Sequence, residues 1–331
     1  MHSAVTRVLV SLLMLAASQT SVAAQPVSGE KSPGTGLRWI TLGTMGGPIA
    51  SSERSQPANL LLLGDDAYLV DCGDGAIEQL AKAGLRLPQV RAVVLSHLHF
   101  DHTAGLAAVL GLRFQTNVTQ RLAIYGPPGT KRFVDGLLAS MRPAVEAGYG
   151  MPGEPSFDPA STVEVTELDD RSTFALGRVV ARAVRNTHYS FAPGSAAERR
   201  FQSFAFRFDA PGRSIVYTGD TGPSPAVESL ARDADLLISE MIDVPGTIAN
   251  VRRNTPDMSE AAMSGLREHL TRHHLTSEQV GQLAARAHVK AVVVTHVVAP
   301  SASAGDLLGY VEQIGVPFAG GVVVAADLDT F

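Results

Sequence analysis

The chain has 331 residues, 45% of them hydrophobic and 18% charged, which fits a globular protein with ample core and excludes a disordered or fibrous one. Lys and Arg number 27 against 32 Asp and Glu, giving a net charge of −5 and a pI near 6.1. That balance argues against a polyanion as the main partner, although a local basic patch is compatible with an acidic total.

At the N-terminus, Arg7 precedes an apolar run over residues 8–17, and Val22-Ala23-Ala24 offers small residues where a signal peptidase reads. The run is too short to span a bilayer, and no later stretch is long and apolar enough to do so. Residues 1–24 therefore read as a cleaved signal peptide leading to the periplasm or the medium, with a retained anchor as the alternative. Residues 25–36, rich in Ser, Pro and Gly, read as a flexible mature N-terminus, and 37–331 as one domain.

Within that domain, 37–42 is a strand and 43–57 a loop holding Gly46-Gly47-Pro48. Strands over 59–63 and 67–71 flank Gly64-Asp65-Asp66, a hairpin signal. The single cysteine, Cys72, excludes an intrachain disulfide and suits a small buried apolar filler, a zinc-ligand role being the lesser reading. A helix over 76–83 and a strand over 92–95 follow. Next come a helix over 104–112 with Thr103 as its N-cap, a strand over 122–125, a helix over 129–141 and a Gly/Pro-rich surface excursion over 143–159. A second series of strands covers 162–168, 173–176 and 179–186. A hairpin of 203–208 and 214–218 turns at Pro211-Gly212, and 236–239 is a strand ending at Glu240. Residues 241–274 suit helical cover or a lid. A helix over 277–287 is capped by Thr276 or Ser277, a strand over 291–295 ends at His296, and a helix over 307–314 and a strand over 322–327 close the chain. Both halves run strands first and strand–helix units after, which suits two sheets face to face with helices outside, a four-layer αβ/βα sandwich.

The chemistry concentrates in Ser96-His97-Leu98-His99-Phe100-Asp101-His102, where three imidazoles and a carboxylate follow an apolar strand. Neutral imidazole and carboxylate are ligands for zinc and similar ions. In an extended loop, alternation turns His97 and His99 one way and leaves Asp101 and His102 free for a second ion. Three more strand ends carry His188, Asp220 and His296. Sites at strand ends around a common crevice are what such sheets favour.

The pattern His-x-His-x-Asp-His, followed by His, Asp and His at these spacings, resembles the metallo-β-lactamase-fold hydrolase superfamily from about Leu37 to the C-terminus. The resemblance implies two divalent ions. His97, His99 and His188 would hold the first, Asp101, His102 and His296 the second, and Asp220 would bridge them. A hydroxide shared by the ions would be the nucleophile, with Asp101 able to take its proton. Zinc is the expected metal, with manganese or iron as alternatives; the redox di-iron members tend to have Glu in place of His99 and to carry a flavin domain, of which these residues show no sign.

Two further segments are similar to the ribonuclease Z and arylsulfatase-like branch: His274-Leu275-Thr276-Ser277-Glu278-Gln279-Val280, and Leu237-Ile238-Ser239-Glu240. The resemblance implies that His274 contacts the anionic group and supplies a proton to the leaving oxygen, while Glu240 orients it or relays to it. The catalytic set is then Asp101, His274 and Glu240. Residues 143–159 contain neither Lys nor Arg, so the basic arm that grips tRNA is missing there.

The expected function is thus an exported dinuclear hydrolase of small phosphodiester or aryl sulfate esters. Its partner is a small anionic ester, with no nucleic acid, no membrane after leader cleavage, and a homodimer left open. Backbone N–H groups of residues 43–48 offer an oxyanion cradle or a plain tight turn, and Tyr189, Arg252 and Arg253 are further substrate-contact candidates. The alternatives are a lactone- or β-lactam-opening hydrolase and a non-catalytic metal or ligand trap.

Overall fold

Side chains on successive strand residues point to opposite faces, so each strand sorts its apolar residues between two layers. In the computed structural model, which describes residues 36–152, 157–299 and 304–331, the strands form two sheets. The first places β1 (Leu37–Gly43), β2 (Ala58–Leu63), β3 (Asp66–Cys72), β4 (Val90–Val94), β5 (Leu122–Gly126) and β6 (Val163–Glu167) side by side in that order. The second runs from β7 (Thr173–Leu176) through β8 (Val179–Arg185), β9 (Phe204–Ala210), β10 (Arg213–Tyr217), β11 (Leu236–Ile242) and β12 (Ala291–Val298) to β13 (Gly321–Val324). Each begins with an antiparallel meander and continues with parallel strands, the rhythm expected from the sequence.

The period of two is visible in the packing. Trp39, Leu61, Tyr68, Val70 and Val94 of the first sheet meet Phe204, Phe206, Phe208, Tyr217 and Ile238 of the second in a shared central layer. Their alternates Leu42, Leu60, Leu69 and Val93 face outward onto α1 (Ala76–Lys82), α3 (Leu106–Gln115) and α4 (Thr130–Ser140), while the short α2 (Phe100–Thr103) and α5 (Arg142–Ala147) lie between and after them. On the far side Val216, Leu237, Val292 and Val294 pack on α7 (Pro225–Ala231), α10 (Ser277–Arg286) and α11 (Ala304–Gly315), with α6 (Ala196–Arg200) in the β8–β9 connection. α8 (Val244–Asn254) and α9 (Glu260–His273) form a pair with a small core of their own: Val244, Ile248, Met263 and Leu270, joined by Ile242. The four-layer αβ/βα sandwich is therefore the fold. Cys72 is fully buried in the first outer core, as a filler would be.

Several boundaries differ from the expectation, for physical reasons. The strand over 162–168 joins the first sheet, parallel to β5, because the chain crosses to the second sheet only at residues 168–172. Thr103 does not cap the following helix; it ends α2, and its hydroxyl donates to the His99 carbonyl at 3.0 Å. Glu240 and His296 lie inside their strands rather than at the ends. The last strand stops at Val324, and Asp327 instead sits in a turn, accepting from Thr44, Ser55 and Gln79. Part of the 143–159 excursion is helical, as α5. The leader of 1–24 and the linker of 25–36, apart from Gly36, lie outside the described residues. Among the described residues no helix is long and apolar enough to cross a membrane.

Candidate metal centre

The site forms where the loops after β4, β8 and β10 meet a bulge in β12. The segment after β4 is irregular with an extended His99, and the backbone then turns helical, so Asp101 and His102 reach the crevice from the first turn of α2 rather than by alternation along a loop. Gly219, at φ 54°, makes the turn that delivers Asp220, in a backbone region that costs glycine little. Opposite Glu240 alone, β12 places both Thr295 and His296, since Ser239 pairs with Val294 and Met241 with Val297. This bulge puts His296 at φ 45° and aims its ring into the crevice, a common use of bulges beside sites.

Two groups of ligand-type atoms result, each with its members within 4.8 Å of one another: His97, His99 and His188; and Asp101, His102, Asp220 and His296. In the first, His97 Nε2 and His188 Nε2 lie 3.0 and 3.1 Å from His99 Nδ1. Asp220 faces both groups: its Oδ2 is 4.0 Å from His97 Nε2 and 3.9 Å from His188 Nε2, while its Oδ1 is 3.3 Å from His102 Nε2 and 3.2 Å from His296 Nε2. Asp101 Oδ2 completes the second group, 3.6 Å from His102 Nε2 and 3.7 Å from His296 Nε2. Among the described residues, His102 Nε2, His296 Nε2 and Asp220 Oδ1 are buried and, despite their closeness to one another, make no well-directed hydrogen bond. Buried polar atoms are almost always satisfied, so lone pairs converging without partners fit divalent cations. Burial also holds His97 and His188 well below the usual imidazole range, in the neutral form a metal needs.

Asp71 supports the centre from behind, a role the sequence reading missed although Asp71 too ends an apolar strand. It is fully buried, and it accepts from Ser96 N at 2.7 Å, from Ser96 Oγ at 2.8 Å and from Tyr217 Oη at 2.7 Å. His102 Nδ1 lies 2.8 Å from its Oδ2, which leaves His102 Nε2 to face the crevice.

Beside the second group, His274 Nδ1 lies 2.6 Å from Glu240 Oε2, both residues buried. Glu240 Oε1 accepts from the Thr221 backbone N–H. Burial alone would lower His274, but Glu240 outweighs it and brings its pKa up to about 9, while burial pushes the Glu240 carboxyl up. Thr276 fixes the segment after His274, capping α10 in a reciprocal box with Gln279. His269 was also missed. It comes from the last turns of α9, bonds Ser190 Oγ at 2.7 Å, and stands with His188 and His274 in a third imidazole group.

The site opens into a cavity of about 1130 Å³, walled by residues 45–54, by Thr247, Asn250 and Val251 of α8, and by Leu266, His269 and Leu270 of α9. Residues 241–274 therefore do cover the site. Three of the backbone N–H groups of residues 43–48 are taken: Thr44 N donates to Asp327, Met45 N to the Ser55 carbonyl and Gly46 N to the Val297 carbonyl. Arg252 and Arg253 are not on the cavity wall, and Arg252 pairs with Glu260 on an exposed face. Tyr189 packs edge-on against His99 at 5.3 Å and away from the cavity wall.

A family model described as "Beta-lactamase superfamily domain" matches residues 67–297, and the chain belongs to that family of metallo-β-lactamase-fold proteins. Among curated proteins it is 31% identical to ribonuclease Z of Mycolicibacterium gilvum over 263 residues, covering 78% of this chain and 84% of that one. Among solved structures, the metallo-β-lactamase-fold protein YhfI of Bacillus subtilis superposes with a TM-score of 0.62 at 19% identity, covering 89% of this chain and 98% of that one. The short form of human tRNase Z superposes at 0.57 with 22% identity, over 89% and 98%.

These relatives correct two expectations: the hydrolysis of small phosphodiester or aryl sulfate esters, and the absence of a nucleic-acid partner. The curated relative is named for ribonuclease activity. The expectation of no nucleic-acid partner rested on the expected export, on the whole-chain charge and on the lack of Lys and Arg over 143–159. A charge acts over roughly 10 Å in physiological salt, and residues 171–213 carry eight arginines against only Glu198 and Asp209.

Proposed function

We infer that this protein is a metal-dependent phosphodiesterase that cleaves RNA, with transfer-RNA precursors as the substrate class. The observation carrying the reading is the pair of ligand groups that share Asp220, with the Glu240–His274 pair set beside the second group. In this reading His97, His99 and His188 would hold one ion and Asp101, His102 and His296 the other, with Asp220 a ligand available to both groups. Zinc suits this donor set. Divalent ions held there would polarise the phosphoryl oxygens and lower the pKa of water.

The chain's own residues do the rest. Glu240 fixes His274 through Nδ1, leaving Nε2 to face the substrate. A water oxygen bonds to phosphorus, its proton passing to Asp101; as the bond from phosphorus to the leaving oxygen breaks, the proton on His274 passes to that oxygen, and Glu240 balances the imidazolium until then. Asp71 keeps His102 oriented. Within 171–213, Arg178, Arg199 and Arg200 are exposed and make no ion pair among the described residues, which leaves them open to a phosphate backbone, and the ribonuclease Z relatives support RNA as the substrate.

The test is incubation of the purified protein, loaded with zinc or manganese, with a tRNA precursor carrying a 3′ trailer. One endonucleolytic cut near the trailer junction is expected, together with about two metals per chain by elemental analysis. Intact precursor after incubation with fully loaded wild-type protein would overturn the reading.

A further inference from the structure

Phe100 occupies an unusual position for a large apolar side chain. It lies between His99 and Asp101, two members of the metal groups, yet it is 76% exposed and lines the cavity. The cause is local. Phe100 is the first residue of α2, and successive helical residues diverge by about 100°, so when Asp101 turns inward to the crevice Phe100 turns out along the cavity wall. Among the described residues no aromatic ring stacks on it. Only one other large apolar side chain on this cavity wall is more than half exposed, Ile49 at 54%, also among the described residues.

We propose that Phe100 is the stacking platform for the nucleobase flanking the scissile phosphate. This rests on the RNA-cleaving reading above and deepens it. Consecutive Cα atoms are about 3.8 Å apart, so the ring hangs within a nucleoside's length of Asp101 and His99, between which the phosphodiester is held. A base next to that phosphate must project into the cavity, where the exposed face of Phe100 is the aromatic surface it meets. Stacking on an aromatic ring suits an RNA-processing site, because every base has a π-face and no particular sequence is required. It also assigns a chemical class to this part of the cavity: a planar heterocycle next to a phosphodiester.

The experiment uses full-length, metal-loaded protein and three RNA substrates: the intact precursor, and versions with an abasic residue immediately 5′ or 3′ of the cleaved bond. Wild-type protein is expected to lose about 10-fold or more in kcat/KM on one of the abasic substrates, the equivalent of one base–aromatic stack. In Phe100→Ala that discrimination should collapse to near unity, in Phe100→Leu it should largely vanish, and Phe100→Trp should keep it. Metal content and Tm of each variant establish that the site is intact. If wild-type protein cleaves none of the RNAs, the functional reading fails and this one with it. If wild-type cleaves the precursor but Phe100→Ala keeps the wild-type ratio, or no abasic substrate is discriminated against, the stacking subsite alone is overturned.

Discussion

His274 shows how one residue's surroundings set its role. Its imidazole is buried, but Glu240 at 2.6 Å stabilises the charged form, and the pKa rises to about 9. A positioned general acid contributes typically 10²–10⁴-fold, and that help matters only when the leaving oxygen is a poor leaving group. His274→Asn should therefore lower kcat on an RNA substrate by about 10²-fold or more, with metal content unchanged. On bis-p-nitrophenyl phosphate, whose leaving group departs without protonation, the same variant should lose far less. Steady-state rates on the two substrates check this, and an equal loss on both would rule out proton donation. Asp71 and His102 form a comparable pair behind the metal groups. Both carboxylates, Asp71 and Glu240, are bonded to an imidazole.

At the scale of the element, the bulge between β11 and β12 carries His296 to its place, and Gly46 makes room for it. A Cβ built on Gly46 would lie 2.5 Å from Val298 Cγ2 and 2.8 Å from His296 Nδ1. The expected result of Gly46→Ala is thus overpacking that costs about 1–3 kcal/mol and displaces His296, with weaker metal retention. Gly265→Ala, in the middle of α9 where a new Cβ meets nothing within 4 Å, serves as the control. It should be neutral or stabilising by up to about 1 kcal/mol. Thermal melts and metal titrations should therefore separate the two variants, Gly46→Ala losing stability and metal and Gly265→Ala losing neither; matching behaviour would show that Gly46 is not there for clearance.

For the whole molecule, the site lies where the two sheets meet. The β4 loop and α2 come from one sheet, and the β8 loop, the β10 loop and β12 from the other, so bound cations would fasten the halves together. A ligand that binds only the folded state stabilises it by about 2.7 kcal/mol at a hundredfold excess over Kd. Treatment with a chelator is accordingly expected to lower Tm by several degrees and abolish cleavage, and zinc to restore both. A Tm indifferent to chelator and to added zinc would contradict the metal assignment. The same scale bears on the mistaken expectation about partners, since the −5 total says nothing of where exposed arginines such as Arg178, Arg199 and Arg200 lie.

Much of the molecule was legible from residue order, because strand alternation, turn residues and metal-ligand types act over a few neighbouring positions. The strands around the site, the sandwich and the clustering of His97, His99, Asp101, His102, His188, Asp220 and His296 all follow from such short-range signals, with family resemblance grouping the last. The rest depended on long-range contacts. That Asp71 reaches His102 across 31 positions, that β6 joins the first sheet, and that Glu240 and His296 lie side by side in a bulge depend on which strands become neighbours. Whether Phe100 faces water or core likewise depends on the turn of α2 against the cavity. Local patterning determined which side chains carry the chemistry; only the packing of the two sheets decided what stands behind, beside and across from them.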